Sequence, residues 1–141
     1  MGNLSKNLSR QEFACNCGRC GNEPAVDSEL VTVLQDICDH FAKERGLSKV
    51  TIIITRGYSC KEWNAYIWGG INKAREAQGK EPLNVPWDGK HPDNIAADFI
   101  IREVSASDVQ KYLLEKYPDK YGIGIYPDRT HIDIRSTKSR W

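Results

Sequence analysis

The sequence contains no apolar run approaching the roughly 20 residues of a membrane-spanning helix. Its opening, MGNLSKNLSR, lacks the apolar core of a signal peptide, so we expect synthesis in the cytoplasm. An excess of one charge is also missing, because 20 Lys and Arg residues balance 19 Asp and Glu residues. This balance gives no electrostatic reason to expect a nucleic acid or a membrane as partner.

The sequence also lacks an even number of cysteines, so its five cysteines cannot all pair within one chain. We expect reduced thiols rather than a secreted disulfide scaffold. Cys15, Cys17 and Cys20 form CxCxxC, which could be half of a structural zinc site, but the sequence has no second CxxC. His40 and Cys38 are the candidates for a fourth ligand. We favour thiols in a tight turn over this second metal site.

A length of 141 residues suits one domain with its own core. We predict a monomer with a single domain over residues 1–141, on which the cysteine-containing segment 1–26 packs. Ser9 and Glu12 have the spacing of a capping box for a short helical turn. Apolar residues recurring at three and four positions predict a helix over about 28–45 that ends at glycine.

The middle of the chain predicts one strand and one interrupted helix. Residues 49–55, KVTIIIT, form a β-branched apolar run that indicates a buried strand, which we place in the centre of a sheet. Residues 61–78 have helical character but contain Gly69 and Gly70. We therefore expect a broken helix followed by a long loop.

The last third of the chain predicts further strands around one helix. Residues 95–101 indicate a second strand, and Ser107 is expected to cap a helix that Pro118 ends. YGIGIY and THIDIR have the spacing of a β-hairpin. Because helices and strands do not alternate regularly, the predicted class is α+β, with a mainly antiparallel sheet flanked by helices.

Two of the three histidines lie in polar company at predicted strands, since His91 begins HPDNIAAD and His131 begins HIDIR. Side chains two apart on a strand share a face, so His131 and Asp133 share one, and His91 can reach Asp98 from the preceding loop. Two imidazoles and one carboxylate would leave a zinc ion one open position for water, as in catalytic sites. On spacing alone, each histidine could instead be a polar residue at a strand end.

The segment HPDNIAAD resembles the HxxGxAxD signature of VanY-like zinc D-alanyl-D-alanine carboxypeptidases, phage L-alanyl-D-glutamate endolysins and the Hedgehog signalling domain, with Asn94 in place of glycine. DRTH is similar to the (D/E)xxH pattern that follows later in these peptidases. The resemblance extends to LSRQEFACNCGRCG, ITRGYSCKEWN, GIGIYP and KSRW, and so covers nearly the whole chain. It implies the α+β fold of this group.

The resemblance also implies a role for individual residues. His91, Asp98 and His131 become the zinc ligands. Asp128, three residues before the last ligand, would be the general base. Asp133 is the rival for that role, or it orients His131.

The residues that would bind the substrate differ from those of the family. Relatives hold the substrate carboxylate with an Arg where Ser59 stands here, and Arg56 is the candidate to replace it.

The function implied is a zinc-dependent peptidase that hydrolyses stem peptides of bacterial peptidoglycan, of carboxypeptidase or endolysin type. An endolysin without a signal peptide would reach the cell wall through a phage-type pore. The alternative is a zinc-binding module of the same fold without catalysis.

Overall fold

The computed structural model describes residues 2–17, 26–81 and 95–141. Within these ranges a 3-10 turn at Arg10–Phe13 precedes three helices and five strands. The helices are α1 (Ser28–Glu44), α2 (Lys61–Ala77) and α3 (Ala106–Lys116), and the strands are β1 (Ile52–Arg56), β2 (Ala96–Ile101), β3 (Gly122–Ile125), β4 (Thr130–Asp133) and β5 (Ser139–Arg140). None of these helices is long and apolar enough to cross a membrane.

The five strands form one sheet in the order β1-β2-β4-β3-β5. All neighbours pair antiparallel except β3 and β5, which are parallel. The predicted α+β class and the β3–β4 hairpin are therefore confirmed. The central position predicted for the first strand is wrong, because β1 lies at the edge of the sheet. A run of apolar residues indicates burial, but strand order depends on pairings between distant segments.

One face of the sheet builds the hydrophobic core. Ala97 and Ile132 pair across β2 and β4, and Ile123 pairs with Ile132 from the other side. All three are fully buried. They belong to the same core cluster as the apolar faces of α1 and α3, which include Leu34 and Leu113. The opposite face of these strands points away from this core.

Helix α1 follows its predicted limits. The Asp27 side chain caps the first turn by accepting hydrogen bonds from the N–H groups of Glu29 and Leu30. After the last turn, Gly46 has φ of +67°, a backbone conformation that favours glycine. Local signals alone determine both ends of this helix.

Two local predictions about the other helices are wrong. Helix α2 is continuous through Gly69 and Gly70, with the Cys60 sulfur accepting a hydrogen bond from the first turn. Each internal glycine costs only about 0.5–1 kcal/mol relative to alanine, which does not interrupt a helix of this length. Helix α3 is capped by Ser105, whose side chain accepts from Asp108 N–H, and not by Ser107. The predicted loop after α2 falls largely outside the described residues.

The N-terminal segment lies against the sheet. Leu8 and Phe13 are buried in the core cluster. The Phe13 carbonyl accepts a hydrogen bond of 2.8 Å from the Tyr58 N–H group. At Gly57 an added Cβ would lie 2.6 Å from the Cα of Phe13, so this close approach requires glycine. The 3-10 turn is therefore joined to the loop between β1 and α2.

Shortening Ile132 tests the core face of the sheet. We expect Ile132→Ala to lower the free energy of unfolding by about 2–5 kcal/mol and Ile132→Val by about 0.5–1.5 kcal/mol, because the side chain is fully buried. Urea denaturation followed by circular dichroism measures both changes. An alanine variant as stable as the wild type would show that Ile132 does not belong to the core.

Candidate metal site

The polar face of the sheet brings together residues that are distant in sequence. In the β2–β4 register Asp98 lies opposite His131, and in the β1–β2 register Arg56 lies opposite Asp98. Residues directly opposite each other on antiparallel strands point to the same face. Asp133, two residues after His131, shares this face. Asp98, His131 and Asp133 thus lie together on one face of the sheet.

Both nitrogens of the His131 ring contact a carboxylate. Nδ1 lies 2.7 Å from Asp98 Oδ1, and Nε2 lies 2.8 Å from Asp133 Oδ2. His131 and Asp98 are only 6% and 8% exposed, and Asp133 is fully buried. Burial lowers the pKa of the imidazole, but the hydrogen bonds to Asp133 and Asp98 outweigh it and raise the pKa of His131 above its usual value. The site therefore favours a positive charge at this ring.

Arg135 holds Asp133 in place. Its Nε donates to Oδ1 at 2.6 Å and one terminal nitrogen donates to Oδ2 at 2.7 Å, a bidentate arrangement. Burial alone would raise the pKa of Asp133, but hydrogen bonds from His131 and Arg135 lower it far below the usual value. Asp133 is thus ionised and acts only as a hydrogen-bond acceptor. No motif in the sequence pointed to Arg135, although its position two residues after Asp133 repeats the spacing of a strand face.

Glycines on β3 leave space for this arrangement. Gly124 lies opposite His131 and Gly122 lies opposite Asp133. A Cβ at Gly122 would lie 2.5 Å from both Asp133 carboxylate oxygens, and one at Gly124 would lie 2.7 Å from Nε1 of Trp141. The Trp141 ring lies over His131, with centroids 4.9 Å apart. In YGIGIY the glycines thus face the site while Ile123 faces the core.

Asp128, the other candidate base, lies before β4 and has a different environment. Its side chain is 75% exposed and accepts a hydrogen bond of 3.0 Å from Arg129. Arg129 also places Nε 3.9 Å from Oδ2 of Asp98. A single guanidinium therefore connects Asp128 with the carboxylate of the buried pair.

Arg56 lies beside Asp98 and is half-buried. Its Nε donates a hydrogen bond of 2.9 Å to the hydroxyl of Ser59, which is fully buried. Burial lowers the pKa of Arg56, and the charge of Asp98 opposes that shift. Arg56, which is expected to replace the family arginine, thus contacts Ser59, which occupies that arginine's position in the sequence.

His91, the first predicted ligand, lies outside the described residues, so two of the three predicted ligands can be placed. Those two are adjacent. A carboxylate oxygen and an imidazole nitrogen are zinc ligands, and a metal-binding histidine commonly donates its second N–H to a carboxylate, as His131 can to Asp133. The donors present therefore fit a zinc ion.

The ligands proposed to complete the cysteine site are wrong. Cys38 is buried in the core, where burial raises its pKa to about 12. His40 lies 3.1 Å from Glu44 and stacks on Tyr112. Among the described residues, the sulfur that lies near those of Cys15 and Cys17 belongs instead to Cys60, 45 residues after Cys15. Such a distance in sequence gave no pattern that could connect them.

Comparison with solved structures found two structures with a related fold. One is the vancomycin-resistance D,D-pentapeptidase VanY from a VanB-type cassette, an E175A mutant in complex with Zn(II), with a TM-score of 0.50 and 20% identity over 74% of this chain and 64% of that one. The other is VanYB in complex with D-alanine-D-alanine, with a TM-score of 0.50 and 21% identity over 73% of this chain and 61% of that one. The chain thus spans less than two thirds of either structure.

No curated protein matches the chain. The family model of Peptidase M15, however, matches residues 6–133, which include all the residues predicted to bind metal. The match covers most of the 141 residues, and the two solved structures share the fold. This chain therefore belongs to the Peptidase M15 family.

Proposed function

We propose that this chain is a zinc-dependent peptidase that hydrolyses peptide bonds in the stem peptides of bacterial peptidoglycan. The observation that carries the proposal is the buried Asp98–His131 pair, backed by Asp133, in a chain of the Peptidase M15 family. The Zn(II) and D-alanine-D-alanine bound by the two VanY structures support the metal and the substrate class. Cleavage at a free carboxyl terminus and cleavage within the peptide, as by an endolysin, are the two finer possibilities.

His91, Asp98 and His131 would hold the zinc ion. When bound, the metal supplies an activated water nucleophile and polarises the carbonyl of the scissile bond. Because ionised Asp133 can only accept, Nε2 of His131 would keep its proton, and Nδ1, which faces Asp98, would be the nitrogen available to a cation. Asp133 thereby fixes both the tautomer and the orientation of the ring.

We assign the general base to Asp128 and a positioning role to Asp133. Asp133 is fully buried and both of its oxygens are occupied by His131 and Arg135. Asp128 is exposed to solvent, and Arg129 connects it to Asp98. It is therefore accessible to water while lying near the polar face. Asp128 would take a proton from the attacking water and deliver it to the leaving amine.

Arg56 would bind the substrate carboxylate. Its guanidinium lies on the polar face beside Asp98, and its Nε is oriented by the buried Ser59 hydroxyl. A guanidinium can hold a carboxylate with two hydrogen bonds, which gives direction as well as affinity. This assignment favours cleavage next to a free carboxyl terminus.

Replacing His131 tests the metal-dependent activity. We expect His131→Ala to lose zinc from the polar-face site and to release no product from purified peptidoglycan stem peptides, as measured by mass spectrometry. His40→Ala is the matched control, because His40 lies on α1 against Tyr112 and should leave activity unchanged. A wild-type protein that binds zinc but releases nothing would contradict the proposed reaction and favour the zinc-binding module.

Isosteric replacements separate the two carboxylates. We expect Asp128→Asn to lower kcat by about 10²–10⁴ with zinc affinity unchanged, because a general base is lost. Asp133→Asn should weaken zinc affinity by about 10–100-fold and recover its activity at saturating zinc, because only the orientation of His131 is impaired. Asp119→Asn, at an exposed position, serves as the control. Full kcat in Asp128→Asn, with no activity in zinc-saturated Asp133→Asn, would reverse the assignment.

Arg56→Ala tests carboxylate recognition. We expect KM for stem peptides with a free carboxyl terminus to rise by about 10–100-fold, because a charge-assisted hydrogen bond contributes about 1.5–3 kcal/mol. Peptides amidated at the carboxyl terminus should be poor substrates of the wild type and should lose little more in the variant. Arg102→Ala is the control, at an exposed position. An equal effect on free and amidated peptides would remove this role from Arg56.

A further inference from the structure

Three thiols that the proposed reaction does not use lie together beside the first strand. Cys15 and Cys17 follow the 3-10 turn, and Cys60 is the residue before helix α2. Their sulfur atoms all lie within 4.8 Å of one another, and each residue is partly buried. This grouping is what a single ion bound by thiolates requires of its ligands.

Backbone N–H groups are directed at these sulfur atoms. Cys15 Sγ accepts a hydrogen bond of 3.3 Å from the N–H of Cys60 and a further one from the N–H of Cys17. Cys60 Sγ accepts one of 3.4 Å from the N–H of Trp63, at the N-terminus of α2. N–H donors and a helix N-terminus both favour a negatively charged sulfur. These contacts lower the cost of placing a negative charge on Cys15 and Cys60.

Without a cation these thiolates would repel one another. A divalent cation at the centre would offset this repulsion, because a coordinating thiol is deprotonated and its charge is neutralised by the ion. Soft thiolate ligands in a compact group select zinc among the common divalent ions.

The fold holds the cluster together without relying on the cysteines. Tyr58 N–H donates to the Phe13 carbonyl at 2.8 Å, and the Asn16 side chain donates to the Thr55 carbonyl at 3.2 Å. These bonds connect the N-terminal segment to the end of β1 and to the loop after it. The ligands are therefore preorganised, which lowers the entropic cost of binding an ion.

We propose that Cys15, Cys17 and Cys60 form a second zinc site, separate from the polar face of the sheet. Each thiol that binds releases its proton to solvent, and no electron is transferred. The ion would fasten the N-terminal segment to the loop that carries Ser59, the hydrogen-bond partner of Arg56. Its role would therefore be structural, and the proposal holds whether or not the chain is a peptidase.

X-ray absorption at the zinc edge of the full-length protein tests this site. In His131→Ala, where the polar-face site is disabled, we expect about one retained zinc ion per chain with three or four sulfur ligands at about 2.3 Å. The double variant His131→Ala/Cys60→Ser should lose this ion, whereas His131→Ala/Cys38→Ala should keep it, because Cys38 lies in the core. Nitrogen and oxygen ligands alone, no retained zinc, or a disulfide among the three cysteines would overturn the proposal.

Absorption spectroscopy of the wild-type protein tests the same site even if a variant does not fold. Protein loaded with Co²⁺ should show intense sulfur-to-cobalt charge-transfer absorption, which nitrogen and oxygen ligands do not produce. If the Co²⁺-loaded protein shows no such absorption, the proposal is overturned. This result depends neither on a substitution nor on activity.

Discussion

The pairing of β2 with β4 is the constraint on which the described site depends. It places Asp98 opposite His131, and the alternation of the strand then assigns Asp133 to the same face and Ile132 to the core. A slip of one residue would exchange the two faces, and it would remove both the proposed metal ligands and the core contacts. Core packing therefore protects the geometry of the polar face, since the burial of Ile132 and the position of His131 cannot be changed separately.

Buried charge is the second determinant of the site. A chain of groups runs from Asp98 through His131 and Asp133 to Arg135, with opposite or complementary partners at each step. Buried ions are costly unless their hydrogen bonds are satisfied, and here each charge has a partner. This arrangement explains why glycines occupy β3 opposite the site, because a side chain at Gly122 would collide with the Asp133 carboxylate.

The end of β1 connects the two proposed sites through a short stretch of chain. Arg56 lies on the polar face, and its Nε donates a hydrogen bond to the Ser59 hydroxyl. Cys60, the residue before α2, is one of the three clustered thiols. The edge position of β1 makes this possible, because the loop after it lies beside the N-terminal segment rather than under another strand. Substrate recognition and a structural ion would therefore influence each other through adjacent residues.

The sequence by itself determined the features that depend on neighbours in the chain. Helix α1 follows from its apolar spacing and the glycine after it, and the faces of β3 and β4 follow from alternation. Asp98 and His131, the two proposed metal ligands that lie within the described residues, followed from motif spacing and resemblance. Only the tertiary structure decided the edge position of β1, the contact of Arg135 with Asp133, and the place of Cys60 beside Cys15. Strand order and contacts between distant segments depend on how the whole core packs, which no local pattern encodes.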